Sequence, residues 1–360
     1  MNDALRIAFL HRHCLPTLHW IRNSTRPDPQ GGSAAYFSLF SGWAAPYPET
    51  TGYLIPTLYD YGRLLNDTQW TTLADNYTLW LCGLQLENGA FPQSIYKEAP
   101  LVFDTGMILL GLKAAWEHHP NHCILQALER AVNWLAGSME PEGYWKRYCY
   151  TPGFAPAYHS RIVWALLEAN RILRSNKIDE LCQKAHAFHT GFINSNYGIR
   201  DAGFSRGIPA TTHTLAYAVR GVLEAAFIVN DQEAIEKIAS FACRLLALWN
   251  AKGRVAGSYD ENWEGNYRFI CITGHAQLSI LLARLYEITG DEAFLEGSRR
   301  LFNAIANAPS KVPVPGIHGG IAGSRPLWGG YHRFHWLNWA AKFYLDAALV
   351  HTKLMHNLIP

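Results

Sequence analysis

Six times along the chain, a loop rich in glycine, proline and aromatic residues ends in a polar or ionisable residue, and an apolar helical pattern begins. The residues at these turns are Glu49, Asp104, His159, His213, His275 and His335, separated by 55, 55, 54, 62 and 60 residues. The stretch Val102-Phe-Asp-Thr-Gly-Met-Ile-Leu-Leu-Gly-Leu112 shows the pattern most plainly. A period of this length holds two helices. One such unit cannot bury its apolar faces alone, so neighbouring units must stack.

Two helix types alternate. Those that follow the long loops are apolar nearly all round, as in Arg161-Ile-Val-Trp-Ala-Leu-Leu-Glu-Ala169, and belong inside. The others are one-faced: Ile124, Leu125, Leu128, Val132 and Leu135 fall near one stripe, opposite Glu129, Arg130 and Asn133. These belong outside, covering the inner helices. Six of each predict an all-α (α/α)6 toroid, six helical hairpins forming one domain over residues 1–360. An open helical solenoid is the alternative.

In chain order, a first helix is expected over 3–22, bent at Pro16. The Pro- and Gly-dense loop of residues 23–48 is expected to lack regular structure. Inner helices are expected over 49–65, 103–117, 158–174, 212–229 and 273–289, and from the last loop to about His351. Pro56 is placed near the first turn of its helix, where proline is tolerated, and Asp67 caps the helix that follows.

Every outer-to-inner connection is long, and every inner-to-outer connection is short. Long loops in compact domains tend to carry function, which puts the site at the mouth where the inner helices begin. Six helix N-termini point their positive ends there, favouring an anionic group.

Composition narrows the class. A hydrophobic content of 49% supports a sizeable core, while 17% charged residues and a net charge of +2 leave no footprint for nucleic acid. The seven cysteines are scattered and form no CxxC pair, which suggests a reducing, cytoplasmic setting. The start of the chain lacks the long apolar region of a signal peptide, and no run is apolar enough for a membrane span. Asn-X-Ser/Thr triplets at Asn23, Asn66 and Asn76 carry little meaning in that setting.

Asp104 is read either as a helix cap or as a carboxylate on the cavity floor. Glu49 holds the matching place one repeat earlier. Packed helices lie about 8–10 Å apart, so the two side chains can approach as a hydrolase carboxylate pair does, one donating a proton and the other activating water. His159, His213 and His275 occupy the next three starts, and in a closed ring they are expected to converge on one cavity as acid–base groups. A zinc site at Cys271 and His275 has no HExxH or paired-cysteine motif behind it, so neither metal nor cofactor is expected.

Tyr47, Tyr96, Trp145, Tyr259, Trp263, Trp328, Tyr331 and other loop aromatics offer faces for sugar rings. Asp201, Arg206, Arg333 and His335 are candidate polar contacts. Arg147, Arg161, Arg200, Arg206, Arg325 and Arg333 are candidates for recognising a carboxylate. Asp260, Glu261 and Glu264 form a small acidic group, either solvated or a second source of a general acid.

Asn88-Gly-Ala-Phe-Pro92, Phe103-Asp-Thr-Gly106 and Trp328-Gly-Gly-Tyr-His332, set in this six-hairpin layout, resemble the six-hairpin glycosidase-like superfamily. Tyr47-Pro-Glu-Thr-Thr-Gly-Tyr-Leu-Ile-Pro-Thr57 resembles proteins of bacterial exopolysaccharide clusters. The resemblance implies an (α/α)6 toroid and a saccharide partner, including an anionic one. The superfamily holds hydrolases, uronate-acting lyases and epimerases. Related toroids include terpene cyclases, protein prenyltransferases and lanthipeptide cyclases, but the Asp-X-Asp-Asp motif and the zinc Cys/His set are missing. The expectation is therefore a glycoside hydrolase acting on a bacterial polysaccharide or oligosaccharide in exopolysaccharide metabolism. A uronate lyase or sugar epimerase, and a non-catalytic glycan-binding assembly factor, stand as alternatives.

Overall fold

The computed structural model describes residues 9–25 and 31–356. Among them are twelve α-helices and nine short strands. A π-helical turn, Leu10–Cys14, runs into α1 (Leu15–Asn23), whose second residue is Pro16. The change of helical register thus sits just ahead of the proline, which has no N–H to give. Residues 3–8 of the expected first helix, and residues 26–30 of the loop after it, lie outside the described residues.

The inner helices are α2 (Pro48–Leu65), α4 (Val102–His118), α6 (Ser160–Leu173), α8 (Thr212–Val229), α10 (Ile272–Thr289) and α12 (Asn338–His356). The outer helices are α3 (Thr68–Leu84), α5 (His122–Gly137), α7 (Asn176–Thr190), α9 (Gln232–Lys252) and α11 (Glu292–Ile305), with α1 against α12. Each inner helix packs on the next, and α12 returns to α2, closing the ring into an (α/α)6 toroid. Closure rules out the open solenoid, which would leave α2 and α12 with bare apolar flanks.

Small residues let the inner helices approach. A Cβ at Gly111 of α4 would overlap the Gly52 carbonyl oxygen of α2, and one at Gly221 of α8 would overlap the backbone at Arg161 of α6. Pro56 lies in the third turn of α2, not the first. Without its N–H, the Gly52 carbonyl has no helical donor. The close approach of Gly111 brings the α4 backbone against that freed oxygen.

Helix starts differ by ring. Asp67, Asn121, Asp231 and Asp291 cap outer helices through their side chains. Among inner helices, α2 begins after Tyr47, α4 after Leu101, α6 after His159 and α10 after Cys271, all without a side-chain cap. At α8 the Thr211 side chain accepts a first-turn N–H, and the outer helix α7 starts after Ser175 without a side-chain cap. Asp104 is the third residue of α4 and is not its cap. The short inner-to-outer turns use left-handed residues, such as Asn66 (φ 50°) and Gly290 (φ 72°), to reverse the chain.

The long loops are stitched together by short antiparallel strands. In the first loop, β1 (Tyr36–Ser38) pairs with β2 (Gly42–Trp43), against the expectation of no regular structure there. It also pairs with β9 (His335–Leu337), in the register Tyr36↔Leu337, Phe37↔Trp336, Ser38↔His335. These partners lie some 300 residues apart, so no local pattern announces them. β3 (Pro92–Ser94) and β4 (Lys97–Pro100) form a hairpin in the second loop. β5 (Ala210–Thr211) with β6 (Ser258–Tyr259), and β7 (Ile270–Cys271) with β8 (Ser324–Arg325), tie successive loops together.

Candidate active site

At the mouth framed by these loops is a pocket of about 240 Å³. Its walls come from five inner-helix starts or the turns before them. Tyr47, Glu49 and Tyr53 come from the α2 side, Phe103 from α4, Tyr158 from the 3-10 turn before α6, His213 and Tyr217 from α8, and Trp339 from α12. Tyr150, Phe204, Tyr331 and His332 come down from the long loops. Phe103 packs edge-on to Tyr158 at 5.1 Å and tilts against Tyr217 at 5.4 Å, giving an aromatic wall.

Glu49 lies on this wall, 6% exposed. Asp104 is fully buried and is not part of the lining. Two tyrosine hydroxyls stand in front of it. Tyr150 donates to Asp104 Oδ1 at 2.5 Å, Tyr47 reaches Asp104 Oδ2 at 3.2 Å, and the two hydroxyls are 2.5 Å apart. Two protons must serve three contacts. With the Tyr150 proton on Asp104, the short link between the tyrosines requires Tyr47 to donate to Tyr150. The result is a directed chain, Tyr47 to Tyr150 to Asp104, that begins at the pocket wall and ends on a buried carboxylate.

Burial pushes the Asp104 carboxyl up to about 7, and the Tyr150 and Tyr47 hydrogen bonds hold it from going higher. Burial also pushes Glu49 well above the usual carboxylate range; the neighbouring Asp104 charge adds to this, while the Tyr47 hydroxyl and Arg161 oppose it. The anion is better stabilised on Asp104, which accepts from Tyr150 and has the Tyr47 hydroxyl dipole 3.2 Å from its other oxygen. The shared proton therefore rests on Glu49 near neutral pH. Burial and the Asp104 charge raise both tyrosines, so they remain donors.

His213 is pushed well below its ordinary value, first by burial and then by His332 and Arg161, and is neutral. Gln277 Nε2 lies 2.7 Å from its Nδ1 and 3.5 Å from its carbonyl oxygen. A carbonyl only accepts, so the amide nitrogen donates to both atoms, and the ring proton sits on Nε2.

Of the three histidines expected to converge, His213 alone lines the pocket. His159 turns into the core, stacked 6.2 Å from Phe103 and edge-on to Trp145, with neither ring nitrogen bonded among the described residues. His275 sits with Nδ1 3.0 Å from the Cys271 carbonyl oxygen, one helical turn back, away from the pocket lining. His335 precedes α12 as part of strand β9, edge-on to Tyr36 at 4.5 Å, so it is not a helix start.

Among the aromatic candidates, Tyr47 reaches the pocket. Trp145 is buried and donates to the Leu135 carbonyl. Trp263 packs on Phe241 and donates to the Asn196 carbonyl. Tyr96, at the tip of the β3–β4 hairpin, and Trp328 are exposed on the loop surface. Asp201, Arg206 and Tyr259 line a separate groove between the fourth and fifth loops, and Arg333 is exposed.

Tyr150, Tyr53, Tyr217 and Trp339 are among the lining residues that sequence reasoning missed, as are Phe103, Tyr158, Phe204 and His332. Two of them carried a signal. Tyr53 follows Glu49, and Tyr217 follows His213, by four residues, which puts each on the same helical face as the residue at the start. Tyr150 carried none, because it lies in a loop that packs back onto the preceding repeat.

Fold and site together define an (α/α)6 toroid that closes a small aromatic pocket over two buried carboxylates. The solved structures this chain is similar to share this (α/α)6 toroid fold. An unsaturated glucuronyl hydrolase specific for heparin superposes with a TM-score of 0.77 at 14% identity, covering 99% of each chain. A D-mannose isomerase gives 0.75 at 11% identity, over 96% of this chain and 98% of the other. A cellobiose 2-epimerase from Bacillus thermoamylovorans gives 0.73 at 13% identity, over 98% and 100%. No family model and no curated protein sequence matches the chain. At these identities the likeness is one of fold. Among the described residues, no helix is long and apolar enough to cross a membrane.

Proposed function

We propose that the protein is a carbohydrate-active enzyme that hydrolyses the terminal glycosidic bond of a bacterial saccharide. The observation that carries the reading is the pair of buried carboxylates in different protonation environments, one on the pocket wall and the other behind two tyrosines. Divergent environments assign an acid and a base.

Glu49, protonated and facing the pocket, gives its proton to the glycosidic oxygen as the bond to the anomeric carbon breaks. A water attacks the anomeric carbon. Its proton passes to the Tyr47 oxygen, the Tyr47 proton to Tyr150, and the Tyr150 proton to Asp104. The step ends with Glu49 ionised and Asp104 neutral, and exchange with solvent restores both. Asp104 is screened from the sugar by the tyrosines and cannot be a carbon nucleophile, so a single displacement with inversion is expected.

The volume, small for a ligand pocket, suits a terminal ring better than the middle of a chain. The lining contains no Arg or Lys, which favours a neutral sugar over the uronate that a lyase would require. The setting in exopolysaccharide metabolism rests on the resemblance of residues 47–57 alone, and a cytoplasmic location is part of the same reading.

The neutral His213, whose Nε2–H can donate to a carbonyl oxygen in the pocket, supports a second reading, proton transfer at a carbon next to an open-chain carbonyl with an ionised Glu49 taking the proton, as an epimerase or isomerase requires. One experiment separates the readings. The protein is incubated with neutral oligosaccharides in D2O and followed by proton NMR. Release of a monosaccharide with inverted anomeric configuration supports hydrolysis. Deuterium entering carbon 2 without chain cleavage supports the second reading. Binding without either change returns the protein to the role of a glycan-binding assembly factor.

A further inference from the structure

The toroid has a second pocket, about 460 Å³, at the opposite mouth, where the inner helices end and the connections are short. Tyr53 lines both pockets and hydrogen-bonds Tyr217 at 3.2 Å, so this tyrosine pair forms the partition between them. Basic side chains from five inner helices line the lower pocket: Arg63 from α2, Lys113 from α4, Arg161 from α6, Arg220 from α8, and Lys342 and Lys353 from α12. The carboxylates of Asp60, Glu117, Glu168 and Asp346 line it with them.

Arg63, Lys113, Arg220 and Lys342 have carboxylate partners, Asp60 being that of Arg63, and Lys353 is exposed. Lys113 lies 2.9 Å from Glu117 and 3.1 Å from Glu168, Arg220 lies 2.7 Å from Glu224, and Lys342 is bonded to Asp346. Arg161 has none within 4.0 Å among the described residues, although it is only 3% exposed. Its Nε donates to the Met107 sulfur at 3.3 Å, a weak acceptor. Its guanidinium is held between rings, 4.6 Å from Tyr217, 5.2 Å from Trp164 and 5.4 Å from Phe343. Ring faces attract the cation but do not neutralise it. Arg220 also lies over Trp164, at 5.3 Å, which brings a second guanidinium to the same place.

A buried charge without a counter-ion is costly, and the terminal nitrogens of Arg161 still have donors free for a planar or tetrahedral oxyanion. Burial and the neighbouring Arg220 cation push the Arg161 guanidinium down from its ordinary value, and Tyr217, Tyr53 and Asp346 offset this only in part. A guanidinium stays protonated in a protein, so the remaining remedy is an anion from outside.

We propose that this lower pocket is a binding site for a small oxyanion of the phosphate type, free or carried on a sugar, gripped by Arg161 with Arg220 and Lys342 beside it. The site goes beyond the proposed hydrolysis and does not depend on it, because it lies on the other side of the Tyr53–Tyr217 partition.

The test is calorimetric titration of the intact protein with inorganic phosphate and with glucose 6-phosphate, against sodium chloride at matched ionic strength. One saturable site is expected for phosphate and none for chloride. Tighter binding of the sugar phosphate identifies a carried group; tighter binding of phosphate identifies the free ion. Arg161→Gln is expected to weaken binding about tenfold or more, whereas Glu49→Gln, at the other mouth, leaves it unchanged. Absence of saturable binding overturns the proposal, as does binding that survives Arg161→Gln but is lost in Glu49→Gln. If Arg161→Gln does not fold, the native protein still decides. Phosphate should change tryptophan emission, and Trp164→Phe should remove that change while calorimetric binding persists. An emission change that survives Trp164→Phe places the anion elsewhere and overturns the assignment.

Discussion

The Tyr150 hydroxyl donates to Asp104 Oδ1 at 2.5 Å, and this bond stands between a buried carboxylate and the pocket. In the proposed hydrolysis it gives Asp104 an exit that passes through a hydroxyl, contributed by a loop of the following repeat. Tyr150→Phe removes the relay without changing the shape of the wall. Turnover should fall by about 10²–10⁴, the range of a lost acid–base path, with circular dichroism unchanged. Retention of full activity would mean that protons leave the pocket by another route.

Glu49→Gln tests the proton donor. Loss of about 10²–10⁴ in kcat is expected on substrates with alkyl or sugar leaving groups, which need protonation. Aryl glycosides with acidic phenols leave without help, and their turnover should be nearly spared. An equal loss on both substrate types would assign Glu49 to binding rather than to acid catalysis.

The carboxylates also make stability depend on pH in a fixed direction. Unfolded, Asp104 titrates near its ordinary value of 3.8; folded, it is pushed up to about 7. Between these values the native state holds a proton that the unfolded state has lost, so stability falls as pH rises through the window and levels off above it. Each such group contributes a slope of up to about 1.4 kcal/mol per pH unit. Glu49, also raised by burial, adds to the decline. Urea unfolding of Asp104→Asn at pH 5 and pH 8 should show a shallower decline than the parent. An identical slope in both proteins would remove Asp104 from the titration.

Ring closure rests on close helix contact at glycines. Gly111→Ala drives a methyl group into the Gly52 carbonyl and should cost about 1–3 kcal/mol, read as a lower denaturation midpoint. Gly83 lies in α3 with nothing near its missing Cβ, so Gly83→Ala should stabilise by about 0.5–1 kcal/mol. The same substitution, with opposite signs on the inner and outer rings, separates packing from helix propensity.

The architecture was legible because it is written in local periodicity. All-round apolar helices such as Arg161–Ala169 and striped ones such as Ile124–Leu135 alternate at near-constant steps, and only a double ring buries both kinds. Glu49, His213 and Tyr47 were legible as candidates for the same reason: helix starts on one ring meet at one mouth. Periodicity did not say which way a side chain turns once there. His159 occupies an equivalent start yet faces the core, because its 3-10 turn rotates the ring toward Phe103 and Trp145. The β1–β9 pairing was hidden because hydrogen-bonding partners some 300 residues apart leave no short-range mark.

By itself, the sequence determined the number of hairpins, the order of inner and outer helices, and the mouth that carries the long loops. These follow from apolar spacing and loop length, which act over a few turns of chain. The tertiary structure decided that Tyr47 and Tyr150 stand against Asp104, that burial raises both carboxyls, and that Arg161 is left without a carboxylate within 4.0 Å in a second pocket. Each of these depends on distance and burial between groups far apart in the chain. Electrostatic energies vary with those quantities, and only the closed ring sets them.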